Sequence, residues 1–131
     1  MNYKYMMMMA LNALLEDVER LSFPIYATLM EEKKPQFGFF GFTKKMLLVA
    51  ILDEDQKKIA WTRRIALHDI RKVSVKKVFL LGQHVVDMEF ADGTSYKLRI
   101  SKKLVNVDTQ EKNAADFIAH LERKAGRGEE A

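Results

Sequence analysis

Few side chains in this sequence stand in an arrangement that could support catalysis. The chain has 3 histidines and no cysteine, which excludes thiolate chemistry, disulfides and zinc–cysteine sites. His68 beside Asp69 is the nearest approach to an acid–base pair, but neighbouring side chains on a strand point apart. No nucleophile motif or glycine-rich phosphate loop is present. We therefore expect a non-enzymatic protein without a metal or cofactor.

The charge that could bind a partner is positive and lies in the middle of the chain. Residues 36–103 carry 14 Lys or Arg against 7 Asp or Glu, whereas the remainder carries 8 against 11. Such a field favours lipid headgroups, nucleic acid or acidic protein surfaces. It is also typical of a lysine-rich sheet surface that resists aggregation. The candidate anion- or lipid-binding residues are Lys44, Lys45, Arg71, Lys72, Lys76 and Lys77.

A run of four methionines gives a second candidate surface. Apolar residues follow helical spacing over residues 3–21, which predicts an amphipathic helix. Methionine is flexible and polarisable, so this face could bind a protein partner or a second copy of the chain. The alternative is a helix packed on its own domain. The candidate partner-binding residues are Met6, Met7, Met8, Met9 and Leu11.

Residues 37–42 combine four phenylalanines with two glycines. One interpretation is an exposed loop that dips into a membrane interface beside Lys44 and Lys45. The interpretation we favour is a buried strand in which the glycines relieve crowding. The apolar runs of the chain are too short to span a bilayer, since spanning needs about 20 residues.

Residues 67–100 carry the clearest structural signal, a hairpin around Asp92-Gly93. A three-residue loop with Gly93 left-handed pairs Met88 with Tyr96 and Val86 with Leu98, and sorts polar and apolar side chains onto separate faces. Upstream, the alternation changes phase at residues 76–77, which indicates a bulge there.

The final predicted element is a helix that starts near residue 108. Asp108 and Glu111 have capping-box spacing, and Gly126 is the expected C-terminal cap. The predicted organisation is an N-terminal amphipathic helix at 1–22, a β-rich domain at 23–125, and a disordered tail at 126–131.

Three sequence motifs, in order, resemble the bacterial pleckstrin-homology (PH)-like and GRAM-like domain family. They are Thr43-Lys44-Lys45-Met46-Leu47, then Leu67-His68-Asp69-Ile70 followed by Val73 and Val75, and Phe90-Ala91-Asp92-Gly93-Thr94-Ser95-Tyr96-Lys97-Leu98. The resemblance covers about residues 23–124. It implies an α+β, mainly β fold: a PH-like barrel of two packed antiparallel sheets capped by a C-terminal helix. The N-terminal helix is an addition to that fold.

The resemblance also bears on function. Together with the methionine-rich helix and the absence of catalytic groups, it predicts an interaction module that acts through protein contacts or self-association, and homo-oligomers are therefore expected. The alternative is peripheral binding to an anionic membrane or ligand. Lipid-binding PH domains place basic residues around the first hairpin, whereas residues 31–34 here carry mixed charge. We expect a cytoplasmic protein, peripheral at the membrane in the alternative, and no nucleic-acid partner, because most aromatics fall at predicted core positions.

Overall fold

The computed structural model describes residues 2–30, 34–78, 82–102, 104 and 107–130, with side chains through residue 124. A helix and seven strands are followed by a second helix, and a 3-10 turn at Leu67–Asp69 precedes the fifth strand. The elements are α1 (Tyr3–Asn12), β1 (Ser22–Leu29), β2 (Gln36–Phe42), β3 (Met46–Leu52), β4 (Ile59–Ala66), β5 (Ile70–Val78), β6 (Gln83–Phe90), β7 (Ser95–Ser101) and α2 (Gln110–Glu130).

The seven strands form one antiparallel sheet in the order β4-β3-β2-β1-β7-β6-β5. β1 joins the two halves, because it pairs with β2 along its length and with β7 at Thr28 and Leu29. Residues from both halves and from α2 share one apolar core. The mainly β α+β class is therefore confirmed. The expected pair of packed sheets is instead a single sheet, open between β4 and β5 rather than closed as a barrel.

Arg63 bridges that open side. Its guanidinium donates to the Tyr96 hydroxyl at 2.9 Å and lies 5.8 Å and 5.7 Å from the ring centres of Phe90 and Tyr96. Arg63 interrupts the apolar alternation of β4 because it caps an aromatic edge on the opposite half of the sheet. Side chains thus span the side that backbone hydrogen bonds leave open.

The predicted hairpin register is confirmed. Met88 pairs with Tyr96 and Val86 with Leu98, the Phe90 N–H donates to the Thr94 carbonyl, and Gly93 has φ +89°. The predicted bulge at residues 76–77 was wrong. Pairing with β6 is regular there and shifts instead between Ile70 and Lys72, where the chain leaves the 3-10 turn.

Residues 37–42 form a strand rather than a membrane loop, and Phe39, Phe40 and Phe42 are fully buried. The two glycines make this packing possible. A Cβ at Gly38 would lie 2.6 Å from the Ala50 carbonyl oxygen, and one at Gly41 would lie 2.8 Å from a methyl group of Leu21. The exposed-loop alternative is therefore wrong.

The N-terminal helix is shorter than predicted: α1 ends at Asn12. Beyond Asn12, tertiary contacts replace the helical hydrogen bonds: the Leu14 carbonyl accepts a hydrogen bond from the Arg64 side chain at 2.8 Å. Glu19 accepts from the Glu16 N–H and from Arg64. The apolar spacing of residues 14–21 therefore belongs to an irregular connection with turns rather than to a helix.

α2 closes the core and is fixed to β1 through its first turns. The fully buried Gln110 amide accepts from the Tyr26 N–H and donates to the carbonyls of Tyr26 and Ser101. The helix starts within two residues of the predicted position. Gly126 does not end it, since α2 extends to Glu130; one glycine costs a helix only about 1 kcal/mol. The predicted break at 126 was therefore wrong.

Candidate functional site

The six candidate anion-binding residues fall into two groups. Arg71, Lys72, Lys76 and Lys77 lie on β5, whereas Lys44 and Lys45 form the β2–β3 turn, and all six are exposed. The β2–β3 turn is tied to the 3-10 turn that precedes β5, because the Lys45 carbonyl accepts from the Leu67 N–H at 2.9 Å.

The four β5 cations do not share one face. Lys72 and Lys76 alternate with Val73 and Val75, which pack against the core, whereas Lys77 continues the valine face. Arg71 stands at the register shift. From Arg71 to Lys76 the strand rises ~17 Å. The positive charge therefore follows the strand edge rather than forming a flat basic patch.

β5 is also an edge of the sheet. The strand has nine residues, and all of them except Arg71 pair with β6 on one side. Among the described residues, no backbone hydrogen bond joins residues 71–78 to any other segment. An edge strand in this state presents free N–H and C=O groups, which are a template for a further strand. α2 packs against β5 as well as against β1, so a further strand would have to fit beside that helix.

The charged side chains of β5 are all positive, and the neighbouring strand β6 offsets them at one position. Lys72 stands opposite Glu89, while Lys76 stands opposite the uncharged Val85. The next carboxylate across, Asp87, lies 4.0 Å from Lys97 of β7. At the far end, burial lowers the pKa of His84, and the charges of Lys77 and Lys102 lower it further. β5 itself carries four cations and no carboxylate.

Lys44 and Lys45 border a cleft of about 450 Å³ on a different part of the molecule. The α1–β1 connection and α2 form its other walls. The lining residues are Val18, Glu19, Arg20, Ser22, Thr43, Lys44, Lys45 and His120.

Glu19 lies in this wall but its charge is already compensated. Arg64 donates to both of its carboxylate oxygens, at 2.7 Å and 2.9 Å. Hydrogen bonding from Arg64, with the Glu16 N–H, lowers the pKa of Glu19 to about 2. Glu19 therefore stays ionised and paired at neutral pH.

Most of the candidate partner-binding methionines pack against the rest of the protein rather than facing solvent. Met7 and Leu11 are fully buried against β2 and β3, in a second apolar cluster on the outer face of the sheet. This corrects their assignment to a partner surface, because neither exposes any area. Met6 and Met8 are half-buried, and Met9 is 58% exposed. The alternative of a helix packed on its own domain describes α1.

The expectation that His68 and Asp69 point apart was wrong. The 3-10 turn brings the His68 Nε2 within 3.4 Å of an Asp69 carboxylate oxygen. Both side chains are largely exposed. The described histidines stand on separate elements, and no group of three or more metal-ligating side chains occurs among the residues that the structure covers.

Two cleft residues, Arg20 and His120, were missed by sequence reasoning. Arg20 lies in a segment predicted as helix, and His120 lies on α2 about a hundred residues away. In the sequence, Arg20 shows only its positive charge and His120 only its imidazole ring. Neither property indicates that the two side chains lie close together in the fold. No described helix has the length and apolar character needed to cross a bilayer.

A mainly β sheet closed by a C-terminal helix, with this strand order, is a PH-like fold. Neither a protein-family model nor a curated protein matches the sequence. Solved structures do match. The hSac2 domain from human phosphoinositide phosphatase Sac2 is similar with a TM-score of 0.61 at 10% identity, over 95% of this chain and 82% of that one.

Two further structures agree. The C-terminal domain of an unknown protein from Leishmania infantum matches with a TM-score of 0.60 at 12% identity, over 92% of this chain and 98% of that one. The linker-DH/PH domains of p115-RhoGEF match with a TM-score of 0.51 at 13% identity, over 92% of this chain and 33% of that one. The predicted PH-like fold is confirmed, and the bacterial and GRAM-like part of the resemblance stays a prediction.

Proposed function

We propose that this chain is a non-enzymatic PH-like interaction module that binds an extended, acidic segment of a protein partner along β5. The observation that carries the proposal is the state of that strand. It is a nine-residue sheet edge with exposed cations, and its outward backbone has no partner among the described residues. A bound segment would add an eighth strand.

In this proposal, the positive charge of β5 determines which partners bind. A strand laid against β5 meets Arg71, Lys72, Lys76 and Lys77 and no acidic side chain on that strand. Opposite charges across neighbouring strands stabilise pairing, and like charges oppose it. Glutamate or aspartate at alternate positions of the partner therefore suits Lys72 and Lys76, which share one face of the sheet.

A second copy of this chain suits it less well. Antiparallel pairing of two β5 strands about Ser74 would place Lys72 opposite Lys76 and Arg71 opposite Lys77. Each such contact sets like charges against each other. We therefore place the partner among acidic proteins rather than in a β5–β5 homodimer.

A flat anionic membrane is also a poorer match for this edge. Lys72 and Lys76 project from one face of the sheet, while Lys77 shares the face of Val73 and Val75. A planar surface would reach one set and leave the other in water. An extended chain running along the edge can approach both.

The test uses fluorescence anisotropy with a labelled peptide that alternates glutamate with threonine. We expect the full chain to bind it, and expect Lys72→Glu with Lys76→Glu to weaken binding roughly tenfold. Lys57→Glu with Lys58→Glu, in the exposed β3–β4 turn, makes the same change in net charge and is the matched control.

A second control separates strand pairing from charge alone. Proline in place of each threonine keeps the acidic charge of the peptide but removes every second N–H group and holds φ near about −65°, away from the about −140° of an antiparallel strand. Binding of this peptide as tight as that of the original would contradict the proposal. A dimer of the full chain, seen by light scattering and abolished by the β5 charge changes, would contradict it as well.

A further inference from the structure

One side of α1 is not covered by the rest of the protein. Three large apolar side chains are exposed among those that the structure describes, and two of them, Tyr5 and Met9, stand one turn apart on this helix. α1 carries one charged residue, Lys4, and a helix this apolar is usually buried on every side. The sheet covers only the side of Met7 and Leu11. The opposite side is therefore open to a further apolar surface.

The exposed side of α1 has a symmetric sequence of side chains. Asn2, Tyr5, Met9 and Asn12 are all exposed, and they follow one another at intervals of three, four and three positions. The stripe thus has an apolar centre and an amide at each end, with the same spacing read in either direction. A two-fold axis between antiparallel helices would place Tyr5 of one copy opposite Met9 of the other. Contact between a thioether sulfur and an aromatic ring is favourable.

The charges of α1 permit this pairing and favour its antiparallel form. Lys4 is already paired with Asp108 at 2.7 Å, so it brings no free charge to the contact. α1 has no acidic residue in its first turn and no basic residue in its last turn. Its own side chains therefore leave the partial charges at the helix ends uncompensated. Antiparallel helices bring opposite ends together, whereas parallel helices bring like ends together.

A membrane surface suits this side of α1 less well than a second copy does. Helices that lie in a bilayer interface carry several lysines or arginines on their polar face. α1 has Lys4 alone, and this cation is engaged with Asp108. Two exposed acidic residues, Glu16 and Asp17, follow the helix in the chain. Negative charge there opposes approach to an anionic leaflet.

We propose that two copies of this chain pair through the exposed side of α1, antiparallel about a two-fold axis level with Met7. α1 has ten residues and is ~15 Å long. A stripe of this length buries less than the ~1,200 Å² of stable interfaces. The dimer is therefore weak, with a Kd on the order of 100 μM. α1 packs on β1, β2 and β3, and the proposal does not rest on partner binding at β5.

Disulfide cross-linking tests the arrangement, because the chain has no cysteine of its own. A disulfide joins Cα atoms up to about 7 Å apart, and one helical turn of offset adds ~6 Å along the axis. We expect a mixture of the Tyr5→Cys and Met9→Cys chains to cross-link roughly tenfold faster than either chain alone. The Tyr5→Cys chain mixed with a Val18→Cys chain is the matched control, because Val18 is exposed but lies outside α1.

Sedimentation velocity measures the association of the cysteine-free full chain, from roughly 10 to 500 μM. Tyr5→Gln with Met9→Gln should lower the dimer fraction about fivefold or more. Val18→Gln makes the same kind of change at another exposed apolar position and should leave it unchanged. Lys72→Glu with Lys76→Glu alters the proposed peptide site on β5 and should also leave it unchanged.

A full chain that stays monomeric over this range overturns the proposal. A Tyr5→Cys chain that cross-links with itself as fast as with the Met9→Cys chain overturns it as well, because this would indicate parallel helices. The same holds if Tyr5→Gln with Met9→Gln removes binding to phosphatidylglycerol vesicles and leaves self-association unchanged, since α1 would then face a membrane. These outcomes are independent of peptide binding at β5.

Discussion

Arg63 and Arg64 are adjacent on β4 and serve opposite faces of the sheet. Arg63 reaches across the open side to Tyr96, and Arg64 holds Glu19 and the Leu14 carbonyl on the face that α1 covers. Strand alternation alone separates them. Neither contact partner lies nearby in the chain, so the sequence did not predict these contacts.

The Arg64–Glu19 pair makes stability depend on pH. The folded-state pKa of Glu19 is lowered to about 2 from an ordinary value near 4.5. The pair therefore stabilises the folded state above about pH 4.5, and this contribution is lost as the pH falls towards 2. We expect Glu19→Gln to be less stable than the wild type at pH 7, with the difference shrinking below pH 4.5.

Urea unfolding of both proteins across this pH range measures the difference directly. Other carboxylates titrate in both proteins and cancel in the comparison. A difference that stays constant from pH 7 to pH 2 would contradict the assigned role of the pair.

Gly93 allows a second prediction for a single residue. Its φ of +89° is strained for a side chain with a β-branch, while the space around a Cβ there is open. We expect Gly93→Val to cost about 1–3 kcal/mol of unfolding free energy through backbone strain. Ala91→Val, in the same exposed turn, is the control. Equal costs in denaturant titrations would refute a specific role for the glycine.

At the scale of elements, the β6–β7 hairpin could be predicted from the sequence, whereas the end of α1 could not. The β6–β7 register follows from turn chemistry and alternation within residues 83–101, so local reasoning sufficed. The end of α1 depends on Arg64, some fifty residues away, which the helical spacing of residues 14–21 does not report. The buried face of α1 was left open for the same reason.

The packing of α1 predicts unequal effects for methionines two positions apart. Met7 is fully buried against the sheet, whereas Met9 is 58% exposed. We expect Met7→Ala to destabilise the protein by about 2–5 kcal/mol and Met9→Ala to change stability by about 0.5 kcal/mol or less. Equilibrium unfolding of the two variants tests this. Similar small effects for both would mean that α1 is not part of the folded core.

At the scale of the whole molecule, sequence predicted the class and the element order but not how the sheet closes. The open side between β4 and β5 depends on which strands fail to pair, and this is set by the path of β1 between the two halves. The same geometry divided the six candidate cations between an edge and a turn. Residue type alone had grouped them as one surface.

The open sheet gives the proposed function its physical basis, since closure would have removed the free edge of β5. Proteins with a PH-like fold have many different functions, so the proposal rests on the free edge of β5 and its positive side chains rather than on the fold. The cleft at the β2–β3 turn adds a second surface of the same sign on another part of the molecule.

The most direct test of the central claim is amide hydrogen exchange of the full chain with and without the glutamate–threonine peptide. Strand addition predicts slower exchange at backbone amides of residues 71–78, with little change at the other edge strand, β4. Binding of the peptide with unchanged exchange throughout β5 would contradict the claim that this edge is the interaction site.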